Sequence, residues 1–137
     1  MKIFFDSSAF AKRYILERGS EVVDQLCEEA DAIALCILCP TEIVSALCRR
    51  RRENTISHDQ YLLAKQALSQ EIRDVDLIQL TPSVIRRSTN LLEQFPLKSN
   101  DSLHVACALE WEAELFVSAD RQQITAVRKT GLKAKQL

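Results

Sequence analysis

Ile3, Phe4 and Phe5 form an unbroken apolar run that is closed by Asp6, and this sequence of run, polar stop and helix recurs along the chain. Such a run, bounded by polar residues, fits a strand buried on both faces. Ser7 and Ser8 then open a helix by capping free backbone N–H groups, and the helix is predicted to reach Leu16 and stop before Gly19. Ser20 announces a second helix, with Val22, Val23, Leu26 and Cys27 as its apolar face. Ala32 to Leu38 reads as the next buried strand. Pro40, whose missing N–H costs nothing in a first turn, leads a helix through Glu42 into Arg49–Arg52.

Ser57 and Gln60 have the spacing of a capping box for a helix carrying Tyr61, Leu62, Leu68 and Ile72. Val75 to Leu80 has the partial alternation of a short strand. Thr81-Pro82 opens a helix with Val84, Ile85, Leu91 and Leu92 as its stripe, closed by Phe95-Pro96. Ser99, Asn100 and Asp101 are expected to cap a helix whose buried face includes Leu103, Val105, Ala106, Cys107 and Leu109. Leu115 to Val117 is a strand, followed by Ser118-Ala119-Asp120 and a helix to about Arg128; Gly131 fits its C-cap, and Leu132 begins a final short strand. Strands alternating with helices, with no repeat or linker, predict one α/β domain over residues 1–137, with a mostly parallel central sheet flanked by helices.

Composition narrows the function. Hydrophobic residues at 47% and charged residues at 27% suit a soluble globular protein, and a net charge of −1 leaves any nucleic-acid partner to local patches. The apolar run Ala32–Cys39 is too short to span a bilayer and the start lacks the features of a secretion signal, so no membrane role and a cytoplasmic location are expected. The five cysteines sit inside apolar periodic segments, as small buried hydrophobes do in a reducing compartment; Cys36 and Cys39 lack the second pair a zinc site needs. Neither of the two glycines lies in a phosphate-cradling motif, which argues against a nucleotide cofactor.

The chemistry lies in four acids. Asp6, Glu42, Asp101 and Asp120 each fall at or just before the first turn of a predicted helix, and three of them follow a strand. Each alone is explained by the attraction of helix N-termini for negative charge. In a parallel sheet, however, all strand-to-helix turns lie on one edge, so the acids should converge. Two carboxylates about 4 Å apart repel by roughly 4 kcal/mol at an effective dielectric near 20. A cluster of four must therefore be partly protonated or hold a cation. Oxygen-only ligands favour Mg²⁺ or Mn²⁺, ions that also bind substrate phosphates and so point to phosphoryl transfer. A phosphatase with an aspartate nucleophile at Asp6 would want a second aspartate two residues on, where the chain has Ser8.

The segments Phe5–Tyr14, Thr41–Leu47, Asn100–Ala106 and Phe116–Asp120, in that order and spacing, resemble those of the PIN-domain ribonucleases, and within them the VapC-type toxins of toxin–antitoxin pairs. The resemblance covers essentially the whole chain. It implies a divalent-metal-dependent endoribonuclease that hydrolyses RNA phosphodiester bonds, commonly a homodimer and blocked by a small antitoxin protein. Carried over by position, Asp6, Glu42, Asp101 and Asp120 match the acidic quartet, with Asp6, Asp101 and Asp120 as direct or water-mediated ligands of Mg²⁺ or Mn²⁺. Glu42 is either a further ligand or the residue that orients the attacking water. Ser118 matches a position that is often Thr and steadies the site by hydrogen bonding. Gln122 and Gln123 stand where some members carry further acids, which leaves one or two metals open.

Three further positions bear on the site. His104, three residues after Asp101, is placed to brace that carboxylate or simply to pack. Arg49 follows Glu42 by seven residues and returns to the same helix face about 10 Å along the axis, where it reaches a flanking phosphate; the rest of the run, Arg50 to Arg52, points elsewhere. Lys12 and Lys98 are weaker candidates, and Trp111 is expected in the core or a dimer interface rather than as a base-stacking platform. The rival reading is a PIN-fold RNA- or protein-binding module without catalysis, which would have no need of four clustered acids.

Overall fold

The structure, a computed structural model, describes residues 1–137. Five parallel strands, β1 (Lys2–Phe5), β2 (Ala32–Cys36), β3 (Asp76–Ile78), β4 (Leu115–Ser118) and β5 (Lys133–Gln136), form one sheet in the order β3-β2-β1-β4-β5. The apolar runs end up in the middle. Phe4 pairs with Ala34 on one side and Phe116 on the other, and the Phe4 and Phe116 rings stack 5.8 Å apart. Alternation along β1 feeds two separate cores. Ile3 and Phe5 face α1 (Ser7–Phe10), α2 (Ser20–Glu29), α3 (Cys39–Arg52) and α4 (His58–Glu71). Phe4 faces α5 (Pro82–Gln94), α6 (Ser99–Glu110) and α7 (Arg121–Lys129). Each fully buried Phe contributes about 1.5–3 kcal/mol by leaving water, so the strand that places Asp6 is held from both sides.

Several boundaries differ from the sequence reading. The first helix is α for only Ser7–Phe10 and tightens into a 3₁₀ turn over Ala11–Arg13. The tightening comes where Arg13 Nε and the Tyr14 hydroxyl are both drawn to Glu71 Oε2, at 2.7 and 2.9 Å. Its cap is Asp6, which accepts from the Ala9 amide, rather than Ser7 or Ser8. β2 stops at Cys36 because Leu38 already takes helical dihedrals to lead Pro40 into the first turn of α3. The α6 cap position is Lys98, and Asp101 lies inside the first turn. Val22, Leu62, Ile85 and Leu92, predicted on buried stripes, are exposed. Gly131 follows α7 at φ +92, the left-handed value that suits glycine at a helix end.

The strand order reverses direction at β1: β2 and β3 lie to one side, β4 and β5 to the other. Open parallel sheets bind ligands at the carboxyl edge of such a switch point. Asp6 follows β1 there, and Asp120 lies just past the end of β4.

Candidate active site

Asp6 is 4% exposed, and every neighbour restrains it. Its Oδ1 accepts from the Ala9 amide at 2.9 Å and the Ser8 hydroxyl at 2.8 Å, and its Oδ2 from the Ser118 hydroxyl at 2.8 Å. Ser118 has one proton and a second acceptor in reach, Gln123 Oε1 at 2.9 Å; a charged Asp6 takes it, because a hydrogen bond to an ion is the stronger one. Burial raises the Asp6 pKa, with the His104 charge and these hydrogen bonds working against it. Gln123, fully buried, also donates to the Asp101 backbone carbonyl at 3.1 Å, and so joins α7 to the first turn of α6.

Asp101 and Asp120 sit together. Burial, then the negative charge of Asp120 and of Asp6, lifts the Asp101 pKa from 3.8 to about 6. Asp120 caps α7, its Oδ1 accepting from the amides of Gln122 at 2.8 Å and Gln123 at 3.3 Å. Cap and site residue are thus compatible roles: a helix N-terminus on this edge aims its carboxylate at the other acids.

Glu42 is held differently. Three donors reach it: Ser7 Oγ at 2.8 Å, Asn100 Nδ2 at 2.9 Å and His104 Nε2 at 2.5 Å. Burial alone would raise its pKa, yet His104, Asn100 and Ser7 outweigh burial and lower it to about 2. His104 is 2% exposed; burial opposes its charge, but Glu42, Cys36 and Asp6 prevail and raise its pKa. His104 therefore braces Glu42, not Asp101. The i, i+3 spacing from Asp101 points to the wrong partner, because α6 turns His104 inward across the sheet edge toward α3. Asn100, Ser7, Ser8 and Gln123 carry hydrogen bonds that sequence reasoning did not assign. Only Gln123, an amide three residues after a helix-capping Asp, gave a local signal, and that signal was for a capping box it does not form.

Arg49 is exposed and lines a groove of about 260 Å³ with Ser7, Ser8, Lys12 and Glu42. The next two arginines are spoken for: Arg50 pairs with Glu17 at 3.0 Å, and Arg51 lies 4.2 Å from the centre of the Tyr61 ring. Lys12 also pairs with Glu17, at 3.2 Å. Trp111 packs beside the second core at the opposite sheet edge, its Nε1 donating to Asp76.

The quartet shares one edge without enclosing a common point: no three His, Cys, Asp or Glu side chains stand close enough to hold one ion between them. An all-oxygen set nevertheless suits Mg²⁺ or Mn²⁺. Mg²⁺ keeps several waters and takes only one or two carboxylates directly, so a closed cage is not required of the protein.

A family model for the PIN domain matches residues 3–129. The chain belongs to the PIN-domain family. Among curated proteins, Ribonuclease VapC45 of Mycobacterium tuberculosis (strain CDC 1551 / Oshkosh) is 26% identical over 107 residues, 78% of this chain and 74% of that protein. The solved VapC20 of Mycobacterium tuberculosis, described as a sarcin–ricin loop cleaving toxin, matches with a TM-score of 0.69 at 16% identity over 90% of this chain and 94% of that one. VapBC2 of Rickettsia felis, solved bound to a DNA fragment from its promoter, matches with a TM-score of 0.69 at 12% identity over 100% and 99% of the two chains. At such identities the solved structures establish that this PIN domain shares their fold. No helix of this PIN-domain chain is long and apolar enough to cross a membrane.

Proposed function

We propose that this PIN-domain protein is a divalent-metal-dependent endoribonuclease that hydrolyses RNA phosphodiester bonds. In this reading it is the toxin of a toxin–antitoxin pair, working in the cytoplasm as a homodimer and restrained by a small antitoxin protein. The observation that carries the reading is the carboxyl-edge cluster at the switch point of the sheet, in which burial, then the charges of Asp120 and Asp6, lift the Asp101 pKa to about 6. Carboxylates that penalise one another in this way are relieved by a cation.

Asp101 and Asp120 would hold Mg²⁺ or Mn²⁺, with Asp6 behind them as a direct or water-mediated ligand. When bound, the ion lowers the pKa of a water and neutralises charge building on the phosphate. Ser118 and Ser8 fix the Asp6 carboxylate so that it does not turn away from the edge. Glu42 has about four lone-pair sites and gives three of them to Ser7, Asn100 and His104, leaving one to orient a single water. Kept charged, Glu42 accepts a hydrogen bond from that water and does not act as an acid.

The deciding experiment is cleavage of mixed cellular RNA by the purified protein, with Mg²⁺ or Mn²⁺ and with a chelator. Cutting that needs the metal supports the reading. A folded, antitoxin-free protein that cuts nothing in either metal is a binding module instead. The groove between Glu42 and Arg49 makes a second expectation: Arg49→Gln should weaken binding of single-stranded RNA and reduce the slope of log affinity against log salt by about 0.7. An unchanged slope would return Arg49 to the solvated face.

A further inference from the structure

A second groove, of about 250 Å³, lies on the other face of the sheet, between the end of α5 and the outer face of α7. It is lined by Phe95, Pro96, Arg121, Gln122, Thr125 and Lys129. The α7 sequence dictates this division: Ile124, Ala126 and Val127 are buried, whereas Arg121, Gln122, Thr125 and Lys129 are exposed. Phe95 caps the end of α5 with its ring half-buried, and the Lys129 ammonium hangs 5.9 Å from the ring centre.

Two features act together in this groove: a half-buried aromatic ring, Phe95, shares it with Arg121 and Lys129, and neither cation is held in an ion pair. The groove also begins beside the acid cluster, since Arg121 is the residue after Asp120, and Thr125 is only about 7.5 Å from Asp120 along the helix axis. The Arg49 groove opens on the α3 side of the same acids. Uncompensated cations with an aromatic floor are the elements that bind single-stranded nucleic acid, the cations following phosphates and the ring taking a base.

We propose that this groove is a nucleotide subsite of the same RNA strand, on the opposite side of the scissile phosphate from Arg49. A base lies on Phe95, displacing the Lys129 ammonium, and Arg121 and Lys129 take one each of the phosphates that flank it. Gln122 and Thr125 face the ribose or the base edge. Exposed cation–π contacts are weak, so Lys129 gives way readily to a base. The proposal rests on the ribonuclease reading above and adds where the strand leaves the site.

The test uses fluorescein-labelled single-stranded RNA twelve nucleotides long, of mixed sequence, binding to the full chain with Mg²⁺ in an Asp101→Asn background so that it stays uncut. Phe95→Leu, which keeps the apolar packing, should weaken binding roughly ten-fold, and Phe95→Trp should keep it. Arg121→Gln and Lys129→Gln should each reduce the salt slope by about 0.7. Wild-type affinity in Phe95→Leu, or an unchanged slope in both charge variants, overturns the subsite. So does a loss confined to self-association or to an acidic peptide, with RNA affinity intact. Metal-dependent RNA cutting by the wild type in either of those cases leaves the nuclease reading standing, whereas no cutting at all removes both.

Discussion

Asp101→Asn is expected to abolish metal-dependent RNA cleavage while raising the melting temperature of the metal-free protein at pH 7.5. The two effects share one cause. In the folded chain the Asp101 pKa is lifted from 3.8 to about 6 by burial and by Asp120 and Asp6. A carboxyl raised in this way contributes stability that is fully present below its unfolded pKa and lost as pH rises through its folded pKa. In full, the rise corresponds to about 3 kcal/mol; solvent screening of a half-exposed group leaves about 1 kcal/mol. Replacing the charge by an amide recovers that amount, or about 3–4 °C for a chain of this size. The gain should appear in thermal melts with chelator at pH 7.5 and vanish near pH 4, where Asp101 is already neutral. Added Mg²⁺ should stabilise the wild type and the variant unequally, and the rate should fall by at least two orders of magnitude. A melting temperature that drops at pH 7.5 would make Asp101 a structural member of α6 rather than part of a strained cluster.

Asp6 would be the poorer place for this test. Its carboxylate caps α1 and accepts from Ser8 and Ser118; Asp6→Asn keeps a competent cap but replaces one accepting oxygen by an NH2 group, so it mixes relief of repulsion with loss of a serine hydrogen bond to a charged group. The difference between Asp6 and Asp101 was not legible in the sequence, where both simply open helices. What was legible was convergence. Ile3-Phe4-Phe5 and Leu115-Phe116-Val117 are apolar enough to fix two central strands, and parallel pairing then leaves Asp6 and Asp120 no choice but the same edge. Local spacing did not say which partner each acid takes. His104 meets Glu42 across 62 positions of chain, and Gln123 meets Asp101 across 22. Such contacts follow from where the sheet sets α6, against β2 and α7, with its first turns facing the start of α3 across the edge. The adjacent apolar pairs Val22-Val23, Val84-Ile85 and Leu91-Leu92 failed for a simpler reason. Successive helix residues are about 100° apart, so one of each pair turns to water, and the core takes Val23, Val84 and Leu91. The edge strand β5, Lys133–Gln136, left only Leu132 as a signal because a strand at a sheet edge protects itself with charge.

His104→Ala is expected to cost about 3 kcal/mol of stability and to lower the cleavage rate without touching the metal-binding acids. The imidazole is 2% exposed, and its Nε2 lies 2.5 Å from Glu42 Oε1, so truncation strands a half-buried carboxylate beside a cavity. The pH dependence identifies the pair. His104, with its pKa raised, contributes stability that is fully present below its unfolded pKa of 6.5 and lost as pH rises through its folded value. Glu42, lowered from 4.5 to about 2, contributes stability that is present above 4.5 and lost as pH falls through about 2. The gap between wild type and His104→Ala should therefore be widest between pH 4.5 and 6.5 and narrow on either side, as read from urea unfolding across that range. His104→Gln returns a donor to Glu42 without the charge, so it should recover much of the activity and about half of the stability while flattening the alkaline limb. A gap independent of pH, with no recovery in His104→Gln, would reduce His104 to packing and leave Glu42 to be positioned by Ser7 and Asn100 alone.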